Sequence, residues 1–280
     1  MGGLLLMLLA ADPFGDFLRP AVIDGAQPAA ACVGCHEDQG KQWAASRHAV
    51  AFSNDHFLAG FAAEPHARCV HCHAPLATDV LRHRKALVAT RSAAVVPPGS
   101  MAHEGITCVT CHLPGAEHAQ RTRPGSCAAC HEFKAHETRD GQTRITEAPM
   151  QTTWSEWQRW GGSQSCESCH MPGGSHAMRG AFDLPWLRAS VKVEVTGNVA
   201  IVSSVGVGHR FPTGDVFRRL VLWADGVEVA QLTRDTALEP GIPVRVALPK
   251  GTKRVRLTYH CADDRSPLPR DDVVVSLFER

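Results

Sequence analysis

The sequence predicts two segments of different architecture: a mainly α/irregular domain over residues 12–188, then a C-terminal all-β, sandwich-like domain over residues 189–280. Three observations predict it. The pentapeptide Cys-x-x-Cys-His occurs five times between Cys32 and His170 and nowhere after. The gaps between copies carry helix-period patterns and Pro/Gly breakers. From about Ser190 the pattern changes to short runs rich in valine, separated by turn signals.

A chain of 280 residues fits one or two domains and can bury a sizeable core. Its formal charge of +1 gives no overall field, so a nucleic-acid role has no electrostatic support. The basic run Arg82-His83-Arg84-Lys85 reads as a solvated face. Met1–Ala11 is a short apolar run with small residues before Asp12, and resembles the remnant of a signal peptide. It lacks a basic leading region and is too short to span a bilayer as a helix. A Pro/Gly/Ala-rich lead follows, from Asp12 to Ala31.

The five motif copies are Cys32/Cys35/His36, Cys69/Cys72/His73, Cys108/Cys111/His112, Cys127/Cys130/His131 and Cys166/Cys169/His170. With 11 Cys and 16 His in the chain, chance would give on the order of 0.03 copies. Half a zinc site or a thioredoxin-like redox pair would share the Cys-x-x-Cys spacing without needing the histidine. Four-cysteine zinc sites also consume the pairs two at a time, whereas here the pairs are odd in number and each carries its own histidine. Two thiols at this spacing can add to the two vinyl groups of a haem, and the following histidine is placed to ligate its iron. Each copy is therefore a candidate site for one of five covalently bound c-type haems, with His36, His73, His112, His131 and His170 as proximal ligands. Ten of the eleven cysteines are used in this way, leaving Cys261 and no spare pair for an internal disulfide. Aromatic residues make up only 6% of the chain, so porphyrin faces are expected to replace much of the apolar surface that side chains would supply.

Taken in order, Glu37–Phe52 reads as a helix, with Trp43, Arg47, His48 and Ala51 at three-to-four spacing. On a continuous helix His48 would stand about 18 Å along the axis from His36, so it is expected to reach a different haem. Asp79–Thr90 is helix-like and Pro97-Pro98-Gly99 is a breaker. His103, just upstream of the third motif, is placed to be a distal ligand. Fifteen residues separate Cys111 from Cys127, so the third and fourth haems are expected to be nearest neighbours. His118, His136 and His176 follow their proximal histidines by six, five and six residues, too few to pass around a porphyrin edge comfortably. Crossed ligation, with each iron linking distant parts of the chain, is the better arrangement. Thr153-Trp154-Ser155-Glu156 has the form of a capping box. Trp154, Trp157 and Trp160 then make a stripe, expected to be core against a haem face, and Gly161-Gly162 stops the helix. His176 lies in a Gly-containing loop and can swing onto iron.

In the second segment the alternation of Val191, Val193 and Val195 opens a series of roughly seven short strands, suggesting an antiparallel sandwich of immunoglobulin-like size. Later strands centre on Ile201-Val202, Val221–Trp223, Val227/Val229, Val244/Val246, Val255/Leu257 and Val273–Val275. Asp225-Gly226 is a hairpin signal. His209, in the Gly208–Gly214 stretch, sits in a Gly/Pro-bounded loop from which it can dock onto a haem of the first domain.

With few methionines outside the leader, mostly bis-histidine, low-spin, low-potential haems are expected, because thioether ligation is what raises the potential. The distal candidates are His48, His103, His118, His176 and His209. The chain resembles the multihaem cytochrome c superfamily, which includes the tetrahaem electron carriers of nitrifiers, the pentahaem nitrite reductases and the hydroxylamine oxidoreductases. The resemblance covers about residues 30–185. It is carried by Cys32-Val-Gly-Cys35-His36 with Trp43 and Ser46-Arg47-His48-Ala49, by His103-Glu104-Gly105-Ile106-Thr107-Cys108, and by Cys166-Glu-Ser-Cys169-His170-Met171-Pro172 with His176. It implies a mainly α/irregular multihaem cytochrome domain and distal-ligand roles for His48, His103 and His176. The Gly208-His209-Arg-Phe-Pro-Thr-Gly214 segment is similar to one found in multihaem cytochromes with a C-terminal β domain.

Within that superfamily the nitrite reductases typically replace one motif histidine by Lys and use a pocket Tyr, and the hydroxylamine oxidoreductases rely on a Tyr cross-link. Here every motif ends in His, and the only Tyr is Tyr259, far along the β domain. The expectation is an electron-transfer protein without catalytic residues of its own, periplasmic or otherwise exported, linking a membrane-side electron donor to a terminal acceptor. The alternatives are a reductase of a small nitrogen or sulfur oxyanion at one five-coordinate haem, and a structural role through self-association or a complex of the β domain.

Overall fold

The computed structural model describes residues 27–112, 127–139, 142–261 and 273–279. The lead to residue 26 and His118 lie outside the described residues. Helices and antiparallel sheets both occur. The helices are short: α1 (Ala30–Val33), α2 (Glu37–Ala44), α3 (Asp55–Ala63), α4 (Ala67–His73), α5 (Arg84–Thr90), α6 (Cys108–Cys111), α7 (Ala128–His131), α8 (Thr153–Arg159), α9 (Cys166–His170) and α10 (Leu184–Ala189).

Local chemistry sets these limits. The helix expected over Glu37–Phe52 stops at Ala44, and the chain then runs in turns. Ser46 Oγ accepts from the Ala49 amide at 3.4 Å, and Trp43 Nε1 donates to the Ile106 carbonyl at 2.8 Å. Both draw the segment away from the helical ladder. Asn54 caps α3 by accepting from the His56 and Phe57 amides at 2.9 and 3.3 Å. The run expected over Asp79–Thr90 is a 3-10 turn, Val80–His83, joined to α5. Phe52, Leu58, Phe61, Val70, Val80 and Leu87 form the buried core of this part.

One feature was not legible in the sequence. After the fourth motif the chain forms an antiparallel hairpin of β1 (Glu132–Arg139) and β2 (Gln142–Thr152), with Phe133 opposite Gln151 and His136 opposite Ile145. The pairing shifts register where Lys134 meets Pro149, a residue that cannot donate to a ladder. Strand β2 runs directly into α8, and the expected capping box does not form, because the N-cap is Thr152 and its side chain caps no amide. The helix begins at Thr153; Thr152 Oγ1 donates to Glu156 at 2.7 Å, and Thr153 Oγ1 meets Thr213 Oγ1 at 2.9 Å. Gly161 and Gly162, at φ +92° and +49°, end α8 as expected. Trp154 and Trp157 pack with centroids 4.8 Å apart.

The C-terminal part is a seven-stranded, two-sheet sandwich. Strands β3 (Val191–Thr196), β4 (Val199–Ser204) and β7 (Val244–Ala247) form one sheet in the order β3-β4-β7. Strands β5 (Arg219–Ala224), β6 (Val227–Leu232), β8 (Arg254–His260) and β9 (Val273–Glu279) form the other in the order β6-β5-β8-β9. Asp225 and Gly226, at φ +49° and +87°, make the tight β5–β6 turn. Helix α10 packs on β3 and β9 and contributes Leu187 to the sandwich core, so by packing the boundary falls before Leu184 rather than after residue 188. Leu257, 1% exposed, is central to that core. Leu257→Ala is expected to cost about 2–5 kcal/mol through lost burial and the cavity left behind. Denaturant unfolding followed by far-UV circular dichroism would reveal it; a change under about 1 kcal/mol would mean that the two sheets are not packed as described.

Candidate functional site

Each motif is one turn of helix. The His36, His112 and His131 amides donate to the Cys32, Cys108 and Cys127 carbonyls at 3.0, 2.8 and 2.9 Å. The second and fifth motifs lie within α4 and α9. Residues i, i+3 and i+4 of a helical turn share a face, so both thiols and the imidazole of each motif point the same way.

The turns come together through their thiols. Cys32 bonds to Cys108, Cys72 to Cys130, and Cys127 to Cys166. The third and fourth motifs are neighbours, since Cys111 bears on Cys127 and Cys130. The fourth motif's thiol hydrogen bonds are with the second and fifth. Sequence distance limits separation only upward, and packing decides the rest. All ten motif cysteines are free thiols. Within the bonded pairs, Cys166 is lowered to about 7 by its contact with Cys127, whose own thiol is pushed up. Cys72 is likewise lowered and Cys130 raised. Burial raises Cys69, Cys108 and Cys111. Among the described residues no three His, Cys, Asp or Glu side chains converge as a ready-made metal-ion site.

Three of the motif histidines face a histidine from elsewhere in the chain. Ring centroids are 6.5 Å apart for His131 and His48, 6.0 Å for His112 and His176, and 6.2 Å for His170 and His209. With a metal–nitrogen bond of about 2.0 Å and a ring nitrogen about 1.1 Å from its centroid, two imidazoles gripping one metal stand roughly 6 Å apart. All three pairs match that span, and all three are crossed. His48 follows the first motif but faces the fourth; His176 follows the fifth but faces the third. His209, from the β4–β5 loop, faces the fifth.

The ring orientations also suit a metal. His170 Nδ1 donates to the Arg179 carbonyl, His209 Nδ1 to that of Arg210, His176 Nδ1 to that of Gly174 and His73 Nδ1 to that of Ala51, at 2.7, 2.7, 2.9 and 2.8 Å. A carbonyl can only accept, so each ring carries its proton on Nδ1 and leaves the Nε2 lone pair free. Met178 Sδ contacts His48 Nδ1. Burial lowers the basicity of His48, His73 and His209, and that of His131 to about 4, with His48 and Arg218 adding to the effect on His131. These rings are neutral at neutral pH, the form that ligates metals.

Two other candidates are placed differently. His103 Nε2 donates to the Val96 carbonyl at 3.1 Å, and its ring meets the edge of Phe52 rather than a motif histidine. His136 lies 4.3 Å from His66, too close for a metal between them, and its Nε2 is 3.3 Å from Glu64. His73 stacks on Phe57 at 4.1 Å.

The segment from His103 to Thr107 acts as a strap. Glu104 accepts from the Ala29 amide at 3.0 Å, and the Ile106 amide donates to the His48 carbonyl at 2.9 Å. Gly105 makes this possible at φ +57°, where a Cβ would lie against the His48 carbonyl and 2.7 Å from that of Ala49. Gly105→Ala is expected to destabilise the chain by about 1–3 kcal/mol from the backbone conformation alone and to displace His48. Thermal unfolding and the absorption spectrum of the exported protein report the two effects separately; an unchanged melting temperature would contradict the strap.

The sequence reading missed Asp215, Arg218 and Tyr259. Tyr259 bonds to Arg218, which bears on His131, and Asp215 bears on His73. Only the crowding of Arg, Asp and Gly around His209 hinted at them. No protein-family model, curated protein or solved structure matches the chain. No helix among the described residues is long and apolar enough to cross a membrane.

Proposed function

We propose that this is an exported pentahaem c-type cytochrome that carries electrons between protein partners, built as a multihaem domain braced by a β sandwich. The observation that carries the reading is the set of three crossed imidazole pairs at 6.0–6.5 Å, each joining one motif histidine to one histidine outside the motifs. Cys32/Cys35, Cys69/Cys72, Cys108/Cys111, Cys127/Cys130 and Cys166/Cys169 would hold five haems through thioethers, with His36, His73, His112, His131 and His170 as proximal ligands. His48, His176 and His209 would be distal ligands to the fourth, third and fifth. His103 and His118 are left for the irons of His36 and His73, and His103 would exchange its bond to Val96 for that role.

Haem supplies one-electron chemistry, and the chain's part is to fix ligands, exclude water and hold the centres close. Neutral, carbonyl-anchored imidazoles on both faces favour low-spin iron that changes little in shape as charge moves. The partners would be a membrane-side donor and a terminal acceptor, with the β domain free to join a complex or a second copy; a periplasmic or other exported setting follows from thioether attachment. Haemochrome assay of the exported protein should return five covalent haems per chain, and electron paramagnetic resonance should show low-spin ferric signals. A chain that binds zinc and no haem would overturn the reading.

A second reading is reduction of a small nitrogen or sulfur oxyanion at one five-coordinate haem; the hydrogen bond of Tyr259 to Arg218, whose charge acts on His131, favours it. Nitrite or nitric oxide binding to a high-spin fraction of the unmodified protein would select it.

A further inference from the structure

The loop between β4 and β5 leaves the sandwich and enters the array of motif turns. It sets His209 against His170, ties Thr213 Oγ1 to Glu156 at 2.7 Å, and ends at Arg218. Its two arginines are treated differently. Arg210 has a carboxylate, Glu239, at 3.0 Å. Among the described residues Arg218 makes no ion pair with a carboxylate, and its Nε, like that of Arg210, is closed to solvent with no hydrogen-bond partner. The guanidinium lies over Gly214, where the site of an added Cβ is 3.7 Å from Arg218 Cζ. Tyr259, stacked on Phe211 at 6.1 Å, hydrogen-bonds to Arg218. Burial raises the Tyr259 phenol, so it is neutral and supplies no counter-charge. The charge of Asp215 also acts on Arg218, and its carboxylate accepts from the Phe217 amide at 2.9 Å.

A guanidinium nitrogen closed to solvent and left unpaired is unfavourable, and the planar fork is matched to a carboxylate. We infer that Arg218 receives a carboxylate that is not part of the polypeptide: a propionate of the haem tethered at Cys127 and Cys130. The inference rests on the pentahaem reading above. It makes the β domain a regulator of one redox centre as well as a source of the His209 ligand. A fixed positive charge at that haem favours the reduced state, so Arg218 would hold this one centre at a higher potential than its ligands alone would set.

The test is a spectroelectrochemical titration of the exported holoprotein and of Arg218→Leu, with haem counted by haemochrome assay. The expected result is five haems in both, one couple of five moved to lower potential by about tenfold in its reduction equilibrium, or ~59 mV for one electron, and a changed propionate bending band in resonance Raman. If the leucine variant does not accumulate, Arg218→Gln removes the charge at similar volume and should give the same shift. Five haems with every couple unmoved, or all five moved alike, would overturn the assignment of Arg218 and leave the pentahaem reading intact. Absence of covalent haem in the unmodified protein would overturn the pentahaem reading itself.

Discussion

Replacing Cys127 and Cys130 together by alanine should give a chain that accumulates poorly, carries four covalent haems or fewer, and is cut readily by protease at its first half. The fourth motif is the hub of the site. Cys130 meets Cys72 of the second motif, Cys127 meets Cys166 of the fifth, and His131 faces His48 from beyond the first. The apolar core of this half rests on a few side chains centred on Phe52, Leu58 and Phe61, which is little for so many short helices. A centre that links three distant stretches therefore acts as a clip whose loss releases each of them. Cys32 and Cys35 provide the comparison, because the thiol contact seen for the first motif is with Cys108 of the third. Their replacement should remove one haem and leave the protease pattern close to that of the parent. Equal damage from both pairs of substitutions would remove the hub.

His209→Ala should convert one of the five haems from low-spin to high-spin ferric and open it to cyanide or nitric oxide, with the other four unchanged. His209 is held 6.2 Å from His170 with the rings 11° from parallel, and both rings are anchored through Nδ1 to backbone carbonyls. Removing one imidazole leaves the opposite one fixed, so the iron would lose a ligand without gaining another. The same change cuts a tie between the sandwich and the motif turns; among those that remain are the contacts of Thr213 with Glu156 and Thr153 and of Arg234 with the Pro149 and Met150 carbonyls. His209→Met should restore six-coordination and raise that haem's potential, because a thioether stabilises ferrous iron relative to imidazole. A spectrum of His209→Ala identical to that of the parent would show that His209 binds no iron.

Much of this arrangement was legible in the residues. The repeated pentapeptide gives five helical turns, each with two thiols and an imidazole on one face, because that arrangement needs one turn of helix and nothing more distant. The valine runs after Ser190 give the seven strands because each strand buries one face with a period of two, and Asp225-Gly226 gives its turn because positive φ at both positions suits that pair. The β1–β2 hairpin escaped notice because its apolar face is thin and its register slips at Pro149. The helix from Glu37 was read too long because Trp43 finds its partner, the Ile106 carbonyl, far along the chain.

Local pattern thus determined by itself where the five motif turns lie and where helices give way to strands. Tertiary structure alone decided that His48 faces the fourth motif, His176 the third and His209 the fifth, that the fourth motif lies against the second and fifth, and that Arg218 hydrogen-bonds with Tyr259. Spacing fixes how far apart two residues can be, but not which of several reachable partners they meet. That choice belongs to the packing of many weak contacts at once.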